Sequence, residues 1–97
     1  MPFIQVIEYK TSRWDEMAAL VTQYRKDTEG KRTAQRTSVC IDRDRPNHYT
    51  AVVQFDSYEA ALENSNLPET AALAEAVIAL CDEAPVFHNL DVVGVFE

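Results

Sequence analysis

The chain has 97 residues, of which 46% are hydrophobic and 26% charged, with a net charge of −7; this is the range of one folded domain and not of a disordered or fibrous chain. Its acidic excess repels phosphate backbones and argues against nucleic acid as a partner. Its longest apolar run, around AVIAL, falls far short of the ~20 residues of a membrane span.

The start, MPFIQVIEYK, lacks the basic and apolar segments of a secretory leader, and Cys40 and Cys81 form neither a CxxC pair nor a disulfide framework. Both features fit a cytoplasmic protein with reduced thiols. A domain of this size buries only about two thirds of the surface its unfolded chain exposes, so a partner subunit is expected to complete the core. Charge is segregated as well: seven of the nine Lys and Arg residues lie between Arg25 and Arg45, and the 52 residues after Arg45 carry nine acidic groups and no basic one.

In chain order, FIQVIEY (3–9) predicts a first strand. Thr11 or Ser12 can cap a following helix with Asp15 and Glu16 in its first turn; Trp14, Met17, Ala18, Val21 and Tyr24 form its buried stripe, and Gly30 suits the left-handed residue that ends it. A second strand is expected over 34–41, then the turn DRDRPN, then a third strand, HYTAVVQF (48–55), in an antiparallel hairpin. Asp56 or Ser57 caps the next helix, with Glu59 placed as in a capping box. That helix fails at NSNLP and restarts with Pro68 in a new first turn. Leu73, Val77, Leu80, Cys81 and Ala84 share one side of the new helix, Pro85 stops it, and a last strand is expected over 86–96. The order βαββαβ, with a broken second helix, predicts a ferredoxin-like α+β fold: a four-stranded antiparallel sheet with helices on one face.

Alternation along the strands divides their side chains between two faces. Ile4, Val6, Val39, Ile41, Tyr49, Ala51, Val53, Phe55, Leu90 and Val92 make an apolar set expected to meet the helices. The opposite set mixes Ile7, Val52, Phe87 and Val93 with Gln5, Tyr9, Arg36, His48, Gln54, Asn89 and Asp91, as a ligand cavity or a partner sheet requires. By this parity Asn89 and Asp91 face the open side of the sheet, and His88 faces the helices.

FIQVIEYKTSRWDEM, FDSYEAALENSNLPET and FHNLDVV, together with the element order, resemble the dimeric α+β barrel superfamily, and within it the small proteins of the antibiotic biosynthesis monooxygenase type. The resemblance covers nearly the whole chain and implies a homodimer closed by face-to-face sheets. It also implies a ligand cavity inside the barrel or between sheet and helices, and an oxygenation that uses no flavin, metal or haem. In such chemistry an electron-rich phenol or anthrone loses a proton and gives its own electrons to dioxygen, so the site must supply a base, hold an anion and exclude water. His48 or Asp91 is the candidate base; Arg36, Gln5, Gln54 and Asn89 are candidate anion holders; Tyr9 and Trp14 are candidate stacking residues.

Structural roles compete with these: Trp14 as the anchor of the first helix, His48 as a solvated turn neighbour, Arg36 and Asp91 as an ion pair within a dimer. The haem-degrading branch of the superfamily relies on an Asn on the first strand, a Trp on the third and a His on a helix, and this chain has none of them. Two glycines cannot build a nucleotide loop, His48, His88, Cys40 and Cys81 lack metal-ligand spacing, and the third strand lacks the signature of RNA-binding domains of similar order. Three readings stay open: an oxygenase of aromatic or polyketide-like molecules, a cyclase or isomerase on the same barrel, and a non-catalytic binding or accessory protein.

Overall fold

A computed structural model describes residues 1–97. Strand β1 (Phe3–Lys10) leads to helix α1 (Trp14–Asp27), the hairpin of β2 (Arg36–Ile41) and β3 (His48–Phe55), helices α2 (Tyr58–Ser65) and α3 (Pro68–Leu80), and strand β4 (Val86–Asp91). The sheet is antiparallel throughout, in the order β2-β3-β1-β4. All three helices lie on one of its faces, where Ala61 of α2 meets Phe3 and Phe55, and Met17 of α1 with Val77 and Leu80 of α3 meets Tyr9, Tyr49 and Ala51. This is the ferredoxin-like plan expected from the order of elements.

Local chemistry explains most boundaries. Ser57 caps α2 by accepting a hydrogen bond from Ala60 N at 3.1 Å. The second helix breaks at Asn66 and Leu67, and Pro68 opens α3 at the position where a missing N–H costs nothing. In the hairpin turn Asn47 takes the left-handed conformation at φ 63, which Asn tolerates better than most residues. Gly30 also turns left-handed, at φ 83, three residues beyond the end of α1.

At the start of α1 the expected cap is displaced. Arg13 occupies the cap position, while Thr11, wholly buried, accepts from Arg13 N at 3.0 Å and donates to Leu80 O at 2.7 Å. One hydroxyl thereby ties the beginning of α1 to the end of α3.

Two further expectations are corrected. The last strand ends at Asp91 and not at residue 96; beyond it Val92 N still donates to Pro2 O, but Val93 and Phe96 are 91% and 96% exposed. The face assignment holds for β2 and β3 and is reversed for β1 and β4. Phe3 is the cause: its ring is 3% exposed, tilted against Phe55 at 6.2 Å and edge-on to Tyr58 at 5.3 Å. With Phe3 inward, Gln5, Ile7 and Tyr9 follow it at every second residue, and Ile4, Val6 and Glu8 point outward. Ile7 pairs with Phe87 and Gln5 with Asn89, so Phe87, Asn89 and Asp91 share the helix side while His88 and Leu90 share the open side.

Candidate functional site

Between the sheet and the helices lies a cavity of about 310 Å³, and 15 of its 23 lining residues are hydrophobic, so an apolar ligand suits it. Its floor comes from the inward positions of the strands: Gln5, Ile7 and Tyr9 of β1, Thr37 and Val39 of β2, and Ala51, Val53 and Phe55 of β3. Its roof comes from the α1 stripe, Met17, Val21 and Tyr24, and from Leu73, Ala74, Val77 and Ile78 of α3. Ile78 and Phe87, each about half exposed, flank a mouth between α3 and the β4 edge.

The two ends of the cavity differ. Near the end of α3, Tyr9 and Tyr49 stack at 5.7 Å with planes 13° apart, and Trp14 stacks on Tyr49 at 4.9 Å. Burial pushes the Tyr9 phenol up to about 12, with the nearby Cys81 and Tyr49 adding to the effect. Tyr9 is thus a neutral hydroxyl at ordinary pH.

At the other end, buried Asn64 donates to Tyr24 Oη at 3.1 Å and accepts from Thr33 N at 3.2 Å, and Tyr24 Oη shares a hydrogen bond with Thr70 Oγ1 at 2.9 Å. One amide and one phenol therefore join α1, α2, α3 and the segment before β2. Arg25 and Arg32 line this same polar end.

The expected site residues disperse over the molecule. Gln5 and Tyr9 line the cavity. Asn89 accepts from Gln5 Nε2 at 3.2 Å but does not itself line the cavity, and Asp91 lies at the β4 edge opposite Phe3, exposed. Both are on the helix side, contrary to the expected placement.

Trp14 sits outside the cavity, over Tyr49 and beside a shallow polar depression formed by residues 12–16. Arg36, His48 and Gln54 are outward residues of β2 and β3, and His48 Nδ1 lies 3.0 Å from Pro46 O. Arg36 and Asp91 stand on opposite edge strands and on opposite faces, so they form no pair within one chain. His88, expected among the helices, faces outward with Nε2 2.7 Å from Glu8 Oε2.

The cavity residues that sequence reasoning missed as site candidates are Tyr24, Arg25, Arg32, Asn64 and Thr70. Tyr24 was legible as part of the buried stripe. Asn64 read as a helix breaker because its partners are distant in sequence, and Arg25 and Arg32 were visible only as members of a basic segment.

No protein-family profile matches the chain, and no curated protein matches it in sequence. Solved structures do match in shape. SnoaB, a cofactor-independent oxygenase from Streptomyces nogalater, superposes with a TM-score of 0.81 at 14% identity, covering 97% of this chain and 95% of its own. An antibiotic biosynthesis monooxygenase superposes at 0.75 with 13% identity, covering 97% of this chain and 100% of its own. A conserved protein from Methanosarcina mazei superposes at 0.80 with 9% identity, covering 93% of this chain and 91% of its own. The chain has the ferredoxin-like α+β fold of antibiotic biosynthesis monooxygenase-like proteins.

Proposed function

We propose that the chain is a cofactor-independent monooxygenase of the antibiotic biosynthesis monooxygenase type, a single cytoplasmic domain that works as a homodimer on an aromatic or polyketide-like molecule. The observation that carries this reading is the largely apolar cavity between sheet and helices, on a fold shared with a cofactor-independent oxygenase. A flat ring system fits between the strand floor and the α1 and α3 roof, where bulk water is reduced and electrostatic interactions are strengthened.

In the reaction an activated CH₂ of the substrate loses a proton, and the resulting anion transfers electrons to dioxygen. A C–O bond forms, water is lost, and a carbonyl remains, so the CH₂ and O₂ become C=O and H₂O. No carboxylate, imidazole, thiol or amine side chain lines the cavity. The substrate proton accordingly leaves through water at the mouth, and the protein contributes by holding the anion. Gln5 keeps one amide hydrogen free beyond its bond to Asn89, and Tyr9 keeps its proton up to high pH, so both are suited to donate to a developing oxyanion.

The dimer reading rests on the outward face. Val86 and Leu90 are 52% and 47% exposed on it, beside Val6 and Val52, an apolar surface that one chain has no second layer to cover.

Oxygen uptake by the purified protein with an anthrone tests the catalytic reading: stoichiometric consumption with quinone formation supports it, and no uptake above the uncatalysed rate ends it. The absence of a base among the lining residues favours one second reading, a binding protein without turnover. That reading is supported by saturable quenching of Trp14 or ligand fluorescence without oxygen use, whereas conversion without oxygen would point to an isomerase or cyclase.

A further inference from the structure

The cavity wall has the opposite charge from the rest of the molecule. The chain carries 16 acidic residues and a net charge of −7, yet no Asp or Glu lines the cavity, while Arg25 and Arg32 do. Neither guanidinium has a carboxylate partner, since the ion pairs of the chain belong to Arg13, Lys31, Arg45 and His88. Arg32 is oriented by Nη1, which donates to Arg25 O at 2.9 Å and to Thr28 Oγ1 at 3.0 Å, and its Nε is shut off from solvent without any acceptor. A buried donor on a charged group left without an acceptor is costly. Two cations at one end of an apolar cavity, with no anion of the protein to answer them, describe a receptor for an anionic head group.

We propose that the ligand of this cavity is an amphipathic acid, with an apolar body along Ile7, Val39, Val53 and Val77 and a carboxylate at the end formed by Arg25, Arg32 and Tyr24. This rests on the reading of the cavity as the binding site and adds the charge of its occupant. The carboxylate is a fixed anchor, distinct from any anion that forms during oxygenation. It sets which way round the body lies, and so which carbon is presented at the mouth near Phe87.

Calorimetric titration of the full chain with an anthraquinone carboxylate and its carboxamide, and with decanoate and decanamide, tests the proposal and separates flat from chain-like bodies. In at least one pair the acid is expected to bind about tenfold more tightly than its amide, as a charge-assisted contact provides, and added NaCl should weaken the acid alone. Arg25→Gln, which removes a guanidinium that holds no hydrogen bond within the fold, should bring the acid down to the affinity of the amide. Arg32→Gln should do the same and serves as a second variant. Equal affinities of acid and amide in both pairs, or a preference that survives in both variants, overturns the proposal and leaves the cavity a binding site. Failure of all four compounds to bind overturns the proposal and the cavity reading together.

Discussion

The two faces of the sheet both carry apolar side chains, ten on the helix face and six on the outward face with Cys40 included, and they end in different states. On the helix face Phe3, Tyr9, Tyr49, Ala51 and Phe55 are all 9% exposed or less, because α1, α2 and α3 supply a second layer. On the outward face Ile4, Val6, Val52, Val86 and Leu90 alternate with Glu8, Arg36, His48 and Gln54, and nothing of the same chain covers them. Burial of an apolar strand residue therefore needs a helix directly above it: Ile41 and Phe87, on the helix side but on the edge strands, stay 62% and 50% exposed. The helix side is filled at its two ends and hollow between them, room for the proposed ligand, and the outward side is an uncovered sheet face, the surface a second sheet would need.

The sharpest way to break this contrast is to place a charge on the outward face. If the outward faces of two copies pair as proposed, Val52→Asp sets like charges across that interface, a cost of several kcal/mol, and sedimentation at micromolar concentration should fall from twice the chain mass to one chain mass. A wild-type protein that already sediments as a monomer would remove the partner sheet altogether.

Truncation on the helix side acts on folding instead. Met17 is 1% exposed between Tyr9, Tyr49 and α3, and Met17→Ala should cost about 2–5 kcal/mol in denaturant unfolding, whereas Val52→Ala measured in the monomer should cost far less.

The third test uses pH. Because the folded state holds the Tyr9 phenol up to about 12 from an ordinary 10.0, it keeps a proton that the unfolded chain releases. Stability should be unaffected by this group below the ordinary value and should fall as pH rises between the two. Tyr9→Phe should flatten that part of the profile, and an ultraviolet titration in the folded state should show one tyrosine ionising late. The smallest effect belongs to Glu8→Gln. The Glu8 and His88 side chains are 48% and 45% exposed, so their pair contributes less than about 1 kcal/mol in a single chain. A larger loss in the intact protein would mean that a partner sheet covers it.

How far the sequence discloses this arrangement differs from strand to strand. In β3 the series Tyr49, Ala51, Val53, Phe55 alternates with His48, Thr50, Val52, Gln54, and one face is clearly the more apolar, so its orientation and that of paired β2 are legible. In β1 both sets are apolar, Ile4 and Val6 against Phe3, Ile7 and Tyr9, and the choice is made by Phe3 packing on Phe55 and Tyr58, which are remote in sequence. Once β1 is misread, β4 follows through its pairing.

The break before Pro68 and the α1 stripe were legible because helix chemistry is local. The role of Asn64 was not, since Asn64 in NSNLP looks like a turn former and acts as a buried bridge to Tyr24 and Thr33. The cavity itself is a property of what the packed elements leave unfilled, and Arg25 and Arg32 become cavity residues only when α1 and the segment after it are set against α3.

The position of β1 in the sheet has a kinetic consequence. As the strand between β3 and β4, it pairs Phe3 with Phe55 on one side and with Asp91 on the other, nearly the whole length of the chain away. A growing polypeptide thus makes its first strand early and completes that strand's neighbours last, when β4 leaves the ribosome. Until then one edge of β1, with Ile4, Val6 and Ile7, lies open to any other strand nearby, and closing it requires a loop spanning most of the chain. Such non-local pairing places folding toward the slower end for small domains and makes the nascent chain, more than the finished protein, the stage at which aggregation has to be avoided.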